Sequence, residues 1–300
     1  MDKIGVPRSI FYYYYKDIWI NYFKYLNIPY IISPKTNKNI MNEGIKAAND
    51  EMCTALKTYL GHVKYLENKC DYILVPRIDN YKIDNQTCTN FLSIYDIVKN
   101  ITKTKILNYN IDYQNHQTLK KGLIKIGKEI NISKHKAKKA YKYAIKKYKE
   151  KRNAEIKENE KKLDSNNIKI LVVSHPYNIY DDLIGNDIVR YLKDNNIEIL
   201  YSDRFNAKQT NKLSKIISKD LYFKYSKDNI GALVYTKNRI DGVIFLSAFP
   251  CGPDSLANEL AMRKINIPYI NLIIDDNSSF TGIETRLESF IDVLKERRND

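Results

Sequence analysis

Four cysteines, Cys53, Cys70, Cys88 and Cys251, are spread over the 300-residue chain with no CxxC pair among them. Such wide spacing, in a chain that reads as cytosolic, speaks against a disulfide framework and for metal-binding or catalytic thiols. Cys251 lies in "LSAFPCGPDS", where the apolar strand Val243–Leu246 runs into a corner of small residues. Gly252 gives that corner freedom, and Pro253 suits the first position of a helix, where no N–H is needed. Cys251 would then sit at a helix N-terminus, where the dipole favours a thiolate. His175, in "SHPYN", occupies the equivalent strand end of the same half, so the pair could serve a Cys/His hydrolase or transferase. The plainer alternative is a buried structural cysteine. Cys53, in "NDEMCTALKTYLGHV", and Cys88, in "NQTCTNF", also fall where helices begin. Three thiols in loops or helix starts that could face an interdomain cleft suit an iron–sulfur cluster, whose usual ligands are thiolates. Cys70 directly precedes the buried-looking strand "DYILVP" and reads as a core or edge residue.

The elements that must position these residues alternate in type. In the first half, strands are expected at Ile4–Val6, Tyr30–Ile32, Tyr72–Val75 and Lys105–Asn108. Helices are expected at Ile10–Leu26, Ile40–Ala48, Ala55–Glu67 and Leu92–Asn100. The second half repeats the plan with strands "IKILVVS", Ile197–Tyr201, "GVIFLS" and "YINLII". Its helices are expected at Asp182–Lys193, Thr210–Lys219, Leu221–Val234, Asp254–Lys264 and Ile283–Lys295. Short β-branched strands separated by helical patterns imply parallel sheets with right-handed crossovers. The fold class is therefore α/β: two doubly wound domains, 1–112 and 166–300, joined by a lysine-rich helical connector over 113–165. The halves share an order of elements but no sequence repeat. Ligands bind such sheets outside the carboxyl ends of the strands. No GxGxxG, Walker A or Gly-x-Ser-x-Gly pattern follows any strand, so a nucleotide site or hydrolase elbow has no direct support.

The net charge of +15 is concentrated between Lys120 and Lys162. Clustered lysines could bind nucleic acid by releasing phosphate counterions. However, Ala137, Ala140, Tyr141, Ala144, Ile145 and Tyr148 form a helical apolar stripe there, and no recognition motif accompanies the charge. The pattern favours a solvated helix over a nucleic-acid surface. The N-terminus lacks a secretory pattern, and no run approaches the roughly 18 apolar residues of a membrane span. A cytoplasmic location is expected.

Several polar residues have more than one reading. Asp254 and Ser255 either cap the helix after Cys251 or support the site. His62 is expected to be packed or at the surface, and His116 and His135 lie in polar, lysine-rich surroundings. Arg8 and Arg77 each follow a strand and a proline, fit either to meet an anion or to tie down a loop. Arg286 and Glu288 are expected to pair with each other or with the acidic turn at Asp275 and Asp276.

The segments "IGVPRSIFYYYY", "SPKTNKNIMNEGIKAANDEMCTALKTYLGHVKYL", "DYILVPRI", "TCTNF", "HPYNIYDD", "DGVIFLSAFPCGPDS" and "GIETRLESFIDVL" fall in order along nearly the whole chain. As a set they resemble the 2-hydroxyacyl-CoA dehydratase superfamily, most closely its activase-related branch, the CoA enzyme activase uncharacterised domain. The resemblance implies two Rossmann-like domains and a [4Fe–4S] cluster held by Cys53, Cys88 and Cys251, with one iron exchangeable. It further implies an ATP-dependent iron–sulfur activase as electron donor, a CoA-thioester or other small substrate, and a dimer or a second dehydratase-like subunit. The sequence departs from the branch at "DDNSSFT", where an Asp-Glu pair followed by Thr-Gly-Glu is usual.

Overall fold

Isoleucine, leucine and valine runs too short for helices become parallel strands in a computed structural model that describes residues 2–276 and 280–299. The chain divides into two units, Met1–Lys151 and Arg152–Asp300.

Unit 1 runs β1 (Ile4–Val6), α1 (Phe11–Leu26), β2 (Tyr30–Ile32), α2 (Lys38–Ala47), α3 (Thr54–Leu66), β3 (Tyr72–Leu74), β4 (Arg77–Asn80), α4 (Thr89–Ile101), β5 (Lys105–Leu107), β6 (Asn110–Asp112), α5 (Leu119–Glu129) and α6 (Lys134–Lys161), whose last residues belong to unit 2. The main sheet has the order β2-β1-β3-β5, all parallel. β4 and β6 form a second parallel pair that sequence reading did not separate from the loops. Pro76 explains the break. It has no N–H for the ladder, and the Asn108 side chain donates to the Val75 carbonyl at 2.8 Å across the gap.

α1 buries Phe11, Tyr15, Ile18, Trp19, Tyr22 and Phe23, the three-to-four spacing of one helical face. It ends at Asn27, whose left-handed backbone (φ 54°) returns its N–H to the last carbonyls. α2 and α3 pack as a close pair: a β-carbon at Gly61 would lie 1.9 Å from the Ile40 carbonyl oxygen, and one at Gly44 1.9 Å from that of Lys57. In α6 the expected stripe faces inward, with Ala137, Ala140 and Ala144 buried and Tyr141, Ile145 and Tyr148 half-buried. Lys151 pins this helix to Asp17 of α1 at 2.8 Å.

Within unit 2 the end of α6 is followed by a 3-10 turn at Lys162–Asp164. The unit then comprises β7 (Lys169–Ser174), α7 (Pro176–Ile179), α8 (Asn186–Asp194), β8 (Glu198–Tyr201), α9 (Ala207–Ser214), α10 (Lys224–Thr236), β9 (Gly242–Ala248), α11 (Gly252–Met262), β10 (Tyr269–Ile274) and α12 (Phe280–Asn299). Its sheet, β8-β7-β9-β10, is entirely parallel. Alternate residues of the central strands feed two cores. Ile170, Val172, Ile244 and Leu246 face α8 and α12, whereas Leu171, Val173, Val243 and Phe245 face α10 and α11. Strands buried on both faces read as continuous apolar runs.

The helix expected at Asp182–Lys193 starts later, at Asn186. The Asp181 carboxylate accepts from the N–H groups of Leu183 (2.9 Å) and Ile184 (3.2 Å), holding a turn there instead. Conversely, the helix expected from Thr210 starts earlier, at Ala207, because Asn206 caps it by accepting from Lys208 and Gln209.

The strand orders of the two units are the same. In each, the second strand of the main sheet lies beside the first, then come the third and fourth. Both are doubly wound, Rossmann-like α/β sheets. In each the chain changes direction between the first and third strands, the place where open α/β sheets bind ligands outside the carboxyl ends of their strands.

Candidate functional site

All three candidate cysteines occupy the same local position. Cys53 is the N-cap of α3, Cys88 of α4 and Cys251 of α11. Each is half-buried with an extended backbone, and none makes a side-chain capping bond. The aligned peptide dipoles of each helix favour negative charge at that end, and hence a thiolate. Cys88 and Cys251 are topologically equivalent, since each opens the helix joining the third strand of its sheet to the fourth. Cys53 opens the helix that leads into the third strand of unit 1. Pro253 takes the second helical position of α11, not the first, because Gly252 already has helical geometry.

In unit 1 the Asn90 side-chain amide donates to the Cys53 sulfur at 3.7 Å. Asn90 is the second residue of α4, so this bond sets the starts of α3 and α4 side by side, with Cys53 and Cys88 at one end of the unit. Cys70 is placed differently. Its sulfur donates to the Leu66 carbonyl at 3.5 Å and packs over Gly5 of β1, and burial pushes its thiol pKa up. The loop after β1 is strained, because Ile10 has a φ of 38°, where a β-branched residue rarely sits.

In unit 2 the direction change lies between β7 and β9, and His175 and Cys251 follow those two strands. Ser174 Oγ donates to the Leu246 carbonyl at 2.8 Å, clasping the strand ends. His175 Nε2 donates to Asp254 Oδ1 at 3.0 Å, and both side chains are buried. The imidazole stacks on Tyr177, with ring centroids 4.7 Å apart. Asp254, in the first turn of α11, therefore orients His175 three residues from Cys251. One turn along α7, Asn178 is fully buried, and neither its amide nitrogen nor its oxygen has a partner among the described residues. Buried amides are rarely left so.

The remaining candidates mostly hold structure. The Arg8 guanidinium donates from Nε to the Ser33 carbonyl at 3.1 Å, and Arg77 pairs with Asp96 of α4. Arg286 donates to the Asn271 carbonyl of β10 at 2.8 Å. His116 and His135 are exposed. In the acidic turn, Asp275 and Asp276 are described, while residues 277–279 lie outside the described residues.

His62 is fully buried in α3, with Nε2 3.0 Å from Thr36 Oγ1. Burial, followed by the charge of Arg8, lowers its pKa from 6.5 to about 3. In the window between those two values the unfolded chain takes a proton that the folded chain refuses. Stability therefore falls as the pH drops through it, by up to about 1.4 kcal/mol per pH unit. We expect His62→Gln, which keeps a partner for Thr36, to flatten the urea-unfolding stability curve between about pH 6 and pH 4. An unchanged slope would mean that the imidazole titrates normally.

An iron–sulfur cluster needs thiolate donors and hydrogen bonds to their sulfurs. The residues fit that group in kind: three half-buried thiols at helix N-termini, one already accepting from an amide. Among the described residues no group of three or more His, Cys, Asp or Glu side chains is gathered that could hold a metal. Two of the three sulfurs come from unit 1 and the third from unit 2.

The two units are doubly wound parallel α/β sheets, a class that binds its ligands outside the carboxyl ends of the strands. Residues 3–205, more than half of the chain, match the family described as CoA enzyme activase uncharacterised domain (DUF2229), and the protein belongs to that family. The matched stretch includes Cys53, Cys88 and His175; Cys251 and Asp254 lie beyond it. No curated protein matches the chain. No helix among the described residues is long and apolar enough to cross a membrane.

Proposed function

We propose that the protein is a [4Fe–4S] component of the 2-hydroxyacyl-CoA dehydratase superfamily. In this reading it receives a low-potential electron from an ATP-dependent iron–sulfur activase and serves reductive or dehydratase-type chemistry on a small substrate, such as a CoA thioester. One observation carries it: Cys53, Cys88 and Cys251 are all helix N-caps, and Cys70 is not. These three thiols would hold the cluster, which when bound supplies one-electron chemistry and an iron open to exchange. The chain's own contributions are electrostatic. Helix N-termini stabilise the negative sulfurs, Asn90 donates to one of them, and Asp254 holds His175 in a fixed orientation. The membership shown above is what suggests an activase as partner.

Anaerobic reconstitution with iron and sulfide tests this. The expected product is brown and carries about four irons and four sulfides per chain, and ATP with an activase bleaches it. A colourless, iron-free chain after reconstitution would sink the reading. The His175–Asp254 pair favours one second reading: a cluster-free cysteine enzyme in which His175, oriented by Asp254, activates Cys251. Iron-free protein that loses an activity on alkylation of Cys251 would support it.

A further inference from the structure

Unit 1 contains a cavity of about 290 Å³ that none of the cysteines touches. It opens at the carboxyl ends of β4 and β6, beside the start of α5, where parallel strands of open α/β sheets present ligand sites. Its walls are the rings of Tyr15, Tyr81 and Tyr113 with the aliphatic side chains of Ile111 and Leu119. Gln117, at the rim, is half-buried, and its side-chain amide makes no hydrogen bond among the described residues.

We propose that this cavity binds a small uncharged aromatic molecule carrying one hydrogen-bonding substituent, about the size of a substituted phenol. The volume lies near the lower bound of ordinary ligand pockets, roughly 300 Å³, and so admits one substituted ring. The lining includes no Lys, Arg, His, Asp or Glu, and a charged ligand would give up its hydration without a counter-charge. Flat tyrosine faces pair best with another ring, in offset or edge-to-face contact. Asn80 is not available to bind the substituent. Its oxygen accepts from the Tyr113 N–H at 2.8 Å, and its nitrogen donates to Asp79 and Asp112. The Thr118 hydroxyl is engaged as the cap of α5, accepting from the Lys121 N–H at 3.3 Å, so we assign the substituent to Gln117, whose amide offers both a donor and an acceptor.

The walls are held before any ligand arrives. The Tyr15 and Tyr81 hydroxyls are hydrogen-bonded to each other, and Tyr15 stacks on Trp19 with centroids 5.6 Å apart. Trp19 in turn donates from Nε1 to the Tyr109 hydroxyl at 3.0 Å. A preformed pocket spares the ligand an ordering cost. The site goes beyond the iron–sulfur reading and does not depend on it.

The chain has a single tryptophan, so the Trp19 indole N–H gives one resonance that reports on the Tyr15 wall. The full chain, isotopically labelled, is titrated with phenol, cyclohexanol, benzoate and tetramethylammonium. Phenol is expected to shift the Trp19 resonance saturably, with the other three at least about tenfold weaker. Leu119→Phe fills the cavity from the first turn of α5 and should weaken phenol at least about tenfold. Gln117→Leu removes the hydrogen bond and should weaken it about three- to tenfold, without altering the rest of the spectrum. A shift that never saturates, or phenol affinity unchanged in Gln117→Leu, overturns the proposal. So does cyclohexanol, benzoate or tetramethylammonium binding as tightly as phenol.

Discussion

Cys53→Ala, Cys88→Ala and Cys251→Ala are each expected to lose nearly all iron and sulfide after anaerobic reconstitution, while Cys70→Ala keeps about four of each. Each of the first three changes deletes a covalent iron contact. Unfolding is not the expected cause. An N-cap substitution destabilises chiefly by removing a side-chain bond to the helix N–H groups, and none of these cysteines makes one. The iron-free variants should therefore melt within a few degrees of the iron-free parent, as substitutions away from such features do. Cys70 supplies the opposite control. Its thiol is raised by burial and committed to the Leu66 carbonyl, a poor state for a metal ligand. The measurement is iron and sulfide content with the visible spectrum, beside a thermal melt of each apo form. If Cys70→Ala loses its iron while one of the other three retains it, the ligand assignment is wrong.

The equivalence of Cys88 and Cys251 strengthens the expectation for that pair. α11 begins just past the third strand of its sheet, while α4 begins after β4 and a loop that follow the third strand of its own; each helix then leads into the fourth strand. Two cysteines at one topological position in two sheets make a coincidence of buried structural residues a weak explanation. This was not visible in the sequence, where "TCTNF" and "PCGPDS" share only the cysteine.

What could be read in the sequence was local. "ILVV" and "VIFL" announce strands because residues buried on both sheet faces must be apolar throughout. That the cysteines lie near helix starts was legible for a similar reason, but the exact N-cap positions were not: the helices expected from Ala55, Leu92 and Asp254 begin at Thr54, Thr89 and Gly252. The interrupted strands β4 and β6 were lost because Pro76 reads as a terminator, whereas Asn108 repairs the gap from 33 residues away in sequence. Partnerships across the chain were equally hidden. His175 and Asp254 are 79 residues apart, and Asn90 reaches Cys53 across 37. For His62 the sequence left packing and surface open, and the structure takes the packed alternative. Periodicity assigns a polar residue to a wet face, but α3 is buried from Thr54 to Val63, so there is no wet face to occupy.

That burial makes the α2–α3 contact the second large effect expected from substitution. Inside an isolated helix, Gly→Ala gains about 1 kcal/mol from propensity alone. At Gly61 the new methyl would lie 1.9 Å from the Ile40 carbonyl oxygen, and at Gly44 1.9 Å from that of Lys57. Both obstacles are backbone, so no side-chain rotation relieves them, and the helices must separate. Overpacking of this kind costs about 1–3 kcal/mol or more, and here it should outweigh propensity. We expect Gly61→Ala and Gly44→Ala each to lower the melting temperature by about 4–8 °C, for a net loss of about 2 kcal/mol. The double variant should cost little more than either single one, because both relieve the same approach. Gly282→Ala fixes the sign. Its methyl would meet nothing within 4 Å on the exposed start of α12, so it should leave the melting temperature unchanged or raise it. Separation of α2 from α3 also displaces the N-terminus that carries Cys53, so Gly61→Ala should bind iron less completely than the parent at temperatures where both are folded. A Gly61→Ala protein as stable as the parent would show that the two helices do not approach this closely, and that Cys53 is positioned by the Asn90 bond without their help.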